Sequence, residues 1–261
     1  MIVQHATGLG YIPKRIVSLV PSQTELLFDL GLEAETTGIT KFCIHPQSWF
    51  KTKQRVGGTK TVDPVKVRQL QPDLIIANKE ENVKEQVEEL AQDHPVWLTD
   101  VNDLQDALQM ITDIGELTGK QQRSLSITEK IRTGFGGLQQ AAAALKTAYL
   151  IWRDPYMTAG AGTFIHDMLG RCGFNNIYAD QLRYPEISVD ELRSAGCELL
   201  LLSSEPYPFK QKHIDELQQQ LTKTKILLVD GEMFSWYGSR LLLSAPYFKQ
   251  LITEIQYPSG I

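Results

Sequence analysis

Short apolar runs that end in turn residues and lead into helical periodicity recur along this chain. Arg15–Val20, RIVSLV, stops at Pro21; Ser22 then precedes QTELLFDLGL, whose apolar positions keep helical spacing up to Gly31. This stretch predicts a strand, a turn, an N-cap at Ser22 and a helix. The same order returns in PDLIIANKEEN followed by VKEQVEELAQ, and in PVWLTDVND followed by LQDALQMITDIGELTG. Strands alternating with helices predict parallel βαβ units. From Asp103 to Leu145 the pattern is helical almost throughout, broken near Gly119 and loosened by GFGG at 134–137, and QQAAAALK has high helix propensity. A second series follows: strand Ala148–Trp152, helices Thr163–Cys172 and Ser188–Ser194, strand Glu198–Ser203, helix Lys210–Leu221, strand Lys225–Val229 and helix Arg240–Ile255.

The pattern therefore predicts an α/β protein of two Rossmann-like lobes, residues 1–101 and 147–261, separated by a helical segment, residues 102–146, that contains one long backbone helix. A helix is a stiff spacer, where a flexible linker would suffice for mere tethering. Ligands of open α/β sheets bind outside the carboxyl ends of the strands, so two such edges facing each other predict a cleft between the lobes.

Composition narrows the partners. A net charge of −5 over 261 residues argues against a nucleic-acid partner, because phosphate binding needs concentrated Lys and Arg. No apolar run approaches the roughly 18 residues needed to cross a bilayer. MIVQHATGLGYIPKR has neither a basic start nor an apolar core of the kind export signals carry, so the chain as it stands reads as cytoplasmic, and as periplasmic or lipid-anchored if a leader has been removed. The three cysteines, Cys43, Cys172 and Cys197, have neither disulfide nor zinc spacing and read as small buried side chains.

The predicted strand ends carry aromatic and charged residues. Glu80 and Glu81 follow LIIA, Arg153 and Tyr156 follow YLIW, and Glu205 and Phe209 follow LLLLS. The segment after ILLV, DGEMFSWYGSR, supplies Glu232, Phe234, Trp236, Tyr237 and Arg240. Aromatics with a few convergent polar groups are what small-molecule sites are made of. Ser22 reads mainly as an N-cap, Glu80 and Glu81 as a helix start, and Trp152 as core. No catalytic constellation is present: there is no nucleophile elbow, P-loop or HExxH, GAGTF at 160–164 reads as a helix-entry turn, and Cys43-Ile44-His45 alone does not make a metal site. No catalytic residue and no direct metal ligand is assigned.

RIVSLVPSQTE at Arg15–Glu25, LQPDLII at Leu70–Ile76, a helical spacer and PEISVDEL at Pro185–Leu192 together resemble the helical-backbone metal receptors. These are the substrate-binding proteins of ABC importers for vitamin B12, ferric siderophores and haem, and the likeness, which is greatest to the B12-binding branch, runs from Arg15 to about Ile255. The resemblance implies a non-enzymatic receptor holding cobalamin or another metal chelate between its lobes, with Tyr156, Tyr184, Phe234 and Arg240 at ligand-contact positions. On that reading Arg240→Ala and Trp236→Ala weaken binding and leave stability nearly unchanged. Family members dock to the permease through one glutamate on each lobe. Val65 stands at the first of these positions, and Asp190 with Glu191 at the second. The alternative is a cytoplasmic ligand sensor or enzyme that retains the fold and uses the acids of the cleft.

Overall fold

The computed structural model describes residues 1–3, 9–141 and 143–257. The chain divides into two compact units. Unit 1 comprises residues 1–101, 105–132 and 236–242, and unit 2 comprises residues 102–104, 133–235 and 243–261.

Unit 1 is built on strands β1 (Ile2–Val3), β2 (Ile16–Ser18), β3 (Thr36–Ile39), β4 (Gln54–Arg55), β5 (Leu74–Asn78) and β6 (Val96–Thr99). They form one sheet in the order β1-β6-β5-β2-β3-β4, every pairing parallel. The helices α1 (Pro21–Asp29), α2 (Gln47–Thr52), α3 (Pro64–Gln69) and α4 (Lys84–Asp93) connect them. Val17, Val56, Val67, Ile75, Val87, Leu90 and Val96 share one buried core, so the alternating grammar of the sequence is realised as strands between covering helices. Val20 is the residue before α1 and has extended dihedrals, with Pro21 opening the helix. Ser22 therefore lies inside the first turn and is not the N-cap, because proline's fixed φ and missing N–H suit the first helical position. Gly31, just past α1, takes φ +77°, the left-handed region in which glycine is favoured.

Two helices follow, α5 (Leu104–Leu117) and α6 (Gln121–Gly136), and the division between the units falls within α6. The helix expected over QQAAAALK does not form in the described residues. Three glycines at 134, 136 and 137 end α6, and the Ala141 N–H donates to the Cys172 carbonyl at 2.9 Å, a tertiary bond that replaces a helical one. Ala142 lies outside the described residues.

Unit 2 contains β7 (Lys146–Trp152), β8 (Tyr156–Thr158), β9 (Asn175–Asn176), β10 (Glu186–Ile187), β11 (Leu199–Ser203) and β12 (Lys225–Val229). Its sheet runs β10-β8-β7-β11-β12, with β9 also on β7. Strands β7, β11 and β12 are mutually parallel, whereas β8 is antiparallel to both β7 and β10. The hairpin from β7 to β8 passes through Asp154 at φ +62°, a conformation Asp tolerates better than most residues. The helices are α7 (Phe164–Arg171), α8 (Val189–Ser194), α9 (Gln211–Gln218), α10 (Gly231–Ser235) and α11 (Leu241–Gln256). Thr163 and Ser188 cap α7 and α8 by accepting from the N–H three residues on. No helix among the described residues is long and apolar enough to cross a membrane.

Candidate functional site

Because β2, β3, β5 and β6 are parallel, their carboxyl ends lie along one edge of unit 1. The side chains behind that edge form a buried polar network. Gln23 Nε2 and Asn78 Nδ2 donate to Thr99 Oγ1 at 2.7 and 3.1 Å, and Asn82 Nδ2 donates to the Thr59 carbonyl at 3.0 Å. Asn78 Oδ1 accepts from the Glu80 and Glu81 N–H groups at 2.8 and 3.1 Å, and Asn82 Oδ1 accepts from the Asn78 N–H at 2.9 Å. Glu80 and Glu81 thus sit half-buried in an asparagine-organised turn, not at a helix start. Thr24 Oγ1 donates to Ser18 Oγ at 2.8 Å and stands 3.1 Å from Cys43 Sγ, and burial pushes that thiol up from its ordinary pKa. Past β3, Phe42 is 50% exposed with the Lys41 ammonium 5.1 Å from its ring centre.

The segment Trp236–Leu242 belongs to unit 1 and is pinned there by a bidentate ion pair. Arg240 Nε and Nη2 donate to the two oxygens of Glu25 at 2.9 and 2.7 Å, with side-chain exposures of 8% and 16%. The Arg240 guanidinium also lies 5.1 Å from the Trp236 ring, which meets His45 edge-on at 5.4 Å. Gly238 is packed so that a Cβ there would stand 2.8 Å from the Ser22 carbonyl, which accounts for glycine between Tyr237 and Ser239. Trp236, Tyr237 and Arg240 are all buried, as is Ser22. The sequence expectation of wall residues is therefore corrected for Trp236, Tyr237 and Arg240, and Ser22 is neither an N-cap nor exposed. Burial pushes the Glu25 carboxyl above the usual carboxylate range, and Arg240 opposes that shift.

In unit 2 the carboxyl ends of β7, β11 and β12 bring together Trp152 and Arg153, the segment Ser204–Phe209, and α10 with Asp230. Trp152, expected in the core, ends β7 at 41% exposure and meets Tyr207 edge-on at 5.8 Å. Arg153 turns to α9, pairing with Glu216 at 2.9 Å and with Asp154 at 3.7 Å. Arg240 thus pairs with Glu25, and Arg153 with Glu216 and Asp154. Glu205 is half-buried and its Oε1 accepts from Ser235 Oγ at 2.7 Å; Glu232, also half-buried, starts α10 with its N–H on Asp230 Oδ1 at 3.1 Å.

Two aromatics assigned to the wall are core. Phe234 is 0% exposed, its ring 4.6 Å from Phe248 and 5.0 Å from Tyr149, and Phe209 belongs to the buried cluster with Leu202 and Leu217. An amphipathic strand-end pattern does not say which rings turn inward, and α11 supplies the partners that bury Phe234. Tyr156 and Tyr184 remain half-buried, the latter beneath the Arg183 guanidinium at 5.8 Å. Asp190 is ion-paired with Arg193, and Glu191 closes a capping box on Ser188, accepting from its N–H at 2.6 Å. Val65 is 61% exposed near the start of α3. Sequence reasoning placed Tyr207 among the strand-end residues after LLLLS but did not single out Phe42, whose flag was an aromatic directly after a strand, in TKF. Among the described residues no group of three or more His, Cys, Asp or Glu is placed to hold a metal ion.

A sequence profile of the family described as periplasmic binding protein matches residues 16–227, spanning both sheets. The chain belongs to that family. A vitamin B12-binding protein of Pectobacterium carotovorum is 22% identical over 256 residues, covering 95% of this chain and 92% of the relative. Among solved structures, the periplasmic vitamin B12 binding protein BtuF of Vibrio cholerae superposes with a TM-score of 0.76 at 18% identity, covering 94% of this chain and 98% of that one. A periplasmic heme binding protein of Pseudomonas aeruginosa superposes with a TM-score of 0.79 at 21% identity, covering 96% and 95%. At these identities the structural likeness concerns the fold, two α/β units of this topology. The residues at the sheet edges have to be read from this chain itself.

Proposed function

We propose that this periplasmic binding protein family member is the substrate-binding component of an ABC importer for a bulky metal chelate of the cobalamin, haem or siderophore class. It binds its ligand without transforming it. The observation that carries the reading is the exposed Trp152 ring, braced edge-on by Tyr207 at the carboxyl edge of the unit 2 sheet. A large ring left in water and held by a second ring is a preformed contact for a flat or bulky ligand. Exposed Phe42 with Lys41 offers unit 1 a comparable contact, suited to a ligand with an apolar face and an anionic edge. Half-buried Tyr156, Glu80, Glu81, Glu205 and Glu232 stand at the same edges as polar contacts, and half-buried Tyr184 lies past the end of β8, level with Ala159. Permease docking falls to Asp190 of α8, since Val65 stands where a first docking acid is expected.

The test is a thermal-shift and absorbance screen against cyanocobalamin, cobinamide, haemin and ferric siderophores. Binding to the folded state stabilises it by about 2.7 kcal/mol at a hundredfold excess over Kd. A shift with one probe, lost in Trp152→Ala, supports the reading; a folded protein silent to the whole panel overturns it. Cell fractionation reads the importer assignment separately, because an importer receptor must reach the outer face of the membrane.

A further inference from the structure

His213 is the third residue of α9 and is 2% exposed. Its Nδ1 accepts from the Lys210 N–H at 2.8 Å, so the neutral ring carries its proton on Nε2, which lies 3.4 Å from the Tyr207 hydroxyl. The imidazole is wedged 5.5 Å from both the Tyr207 and the Phe209 rings, and these two rings are 4.7 Å apart. Tyr207 in turn braces Trp152. The imidazole thus ties the start of α9, through the Ser204–Lys210 segment, to the exposed tryptophan.

We infer that His213 is a positioning residue for the Trp152–Tyr207 wall, and that its protonation releases the Ser204–Lys210 segment and weakens ligand binding in acid. This rests on the binding reading above. The reason is the exchange of hydrogen-bond roles: an imidazolium has two donors and no acceptor, so Nδ1–H would oppose the Lys210 N–H. The charged surroundings do not compensate. Arg153 just past β7, Lys210, and Lys212 on α9 are cations around the ring, while the acid that acts on it, Glu216 on α9, is already paired with Arg153 at 2.9 Å, as is Asp154 at 3.7 Å; Tyr156 on β8 and Tyr207 add only neutral hydroxyls. Burial first, then Arg153, holds the imidazole below its ordinary range, so the neutral, wall-bracing form prevails at neutral pH.

The test needs no ligand in its first part. In proton NMR of the free protein, the His213 ring proton, the Lys210 amide and the Trp152 indole N–H, the last assigned by Trp152→Phe, are followed between about pH 7.5 and pH 5. All three are expected to move with one shared midpoint below about 6.5. An indole resonance that stays fixed while His213 titrates overturns the proposal. In His213→Asn the side-chain oxygen keeps an acceptor for Lys210 without titrating, and the indole resonance should become pH-invariant; movement as in the wild type also overturns it. In the second part, affinity for cyanocobalamin and for haemin is measured over the same range. A loss of about tenfold per pH unit below the midpoint, absent in His213→Asn, is expected. Probe binding that is flat with pH removes the link to affinity. A failure of both probes to bind at any pH, with the NMR midpoints shared, removes the proposed ligand class and leaves the positioning role standing.

Discussion

Replacing Arg240 by methionine removes the guanidinium from a buried pair and leaves the Glu25 carboxylate behind. Two charges about 4 Å apart attract by about 4 kcal/mol at an effective dielectric of 20, and here the contact is bidentate at 2.9 and 2.7 Å with both partners mostly screened from water. The net worth of such a pair is smaller, since both ions lose hydration, but breaking one side leaves an uncompensated charge at a cost of about 3–5 kcal/mol. Loss of the Trp236 cation–π contact adds about 0.5–2 kcal/mol. Urea unfolding at about pH 7.5 should therefore show Arg240→Met destabilised by several kcal/mol, contrary to the sequence-based expectation of a binding defect in a stable protein. The pH dependence has a definite sign. Glu25 already has a raised pKa through burial, and without Arg240 it rises further. The folded variant then binds more protons than its unfolded chain, and its deficit shrinks as pH falls toward 5, by up to about 1.4 kcal/mol per unit. Glu25→Leu combined with Arg240→Met should recover most of the loss, because no buried charge remains. A single variant within about 1 kcal/mol of wild type, or a deficit that is the same at both pH values, would refute the reasoning.

Phe234→Ala and Trp152→Ala separate core from wall. The first should lose about 3–5 kcal/mol in urea unfolding through a cavity beside Tyr149 and Phe248. The second, at an exposed ring, should stay within about 0.5 kcal/mol while losing probe binding in the absorbance screen. Asn78→Ala removes the acceptor of the Glu80 and Glu81 N–H groups, while the Thr99 hydroxyl keeps Gln23 and the Ala77 carbonyl; a loss of about 1–3 kcal/mol and faster amide exchange at residues 79–82 are expected. Gly231→Ala brings a Cβ against Ser203 Oγ and should displace Ser235 from Glu205, visible as lowered melting temperature.

The alternation of apolar runs and helical periods was legible along the chain because each strand and helix carries its own period: LIIA and LLLLS became inner strands and ILLV the edge strand β12, and unit 1 is parallel throughout as that grammar implies. The family's ordered segments, RIVSLVPSQTE and LQPDLII, were legible for the same local reason. What tertiary structure alone decided is which strand-end residues meet solvent. Trp152 and Phe234 both sit beside apolar strands, yet one ring ends a strand in water and the other is closed between Phe248 of α11 and Tyr149 of β7, far back along the chain. Arg240 read as a ligand contact because a charged residue near a strand end suggests an open site; its partner is 215 residues away in sequence, and no local pattern encodes that distance. QQAAAALK kept its intrinsic preference for helix but lost to the glycines before it and to a backbone bond with Cys172. Periodicity is a property of neighbours in sequence and specifies elements; burial and pairing are properties of neighbours in space, and they alone distinguish a wall from a core.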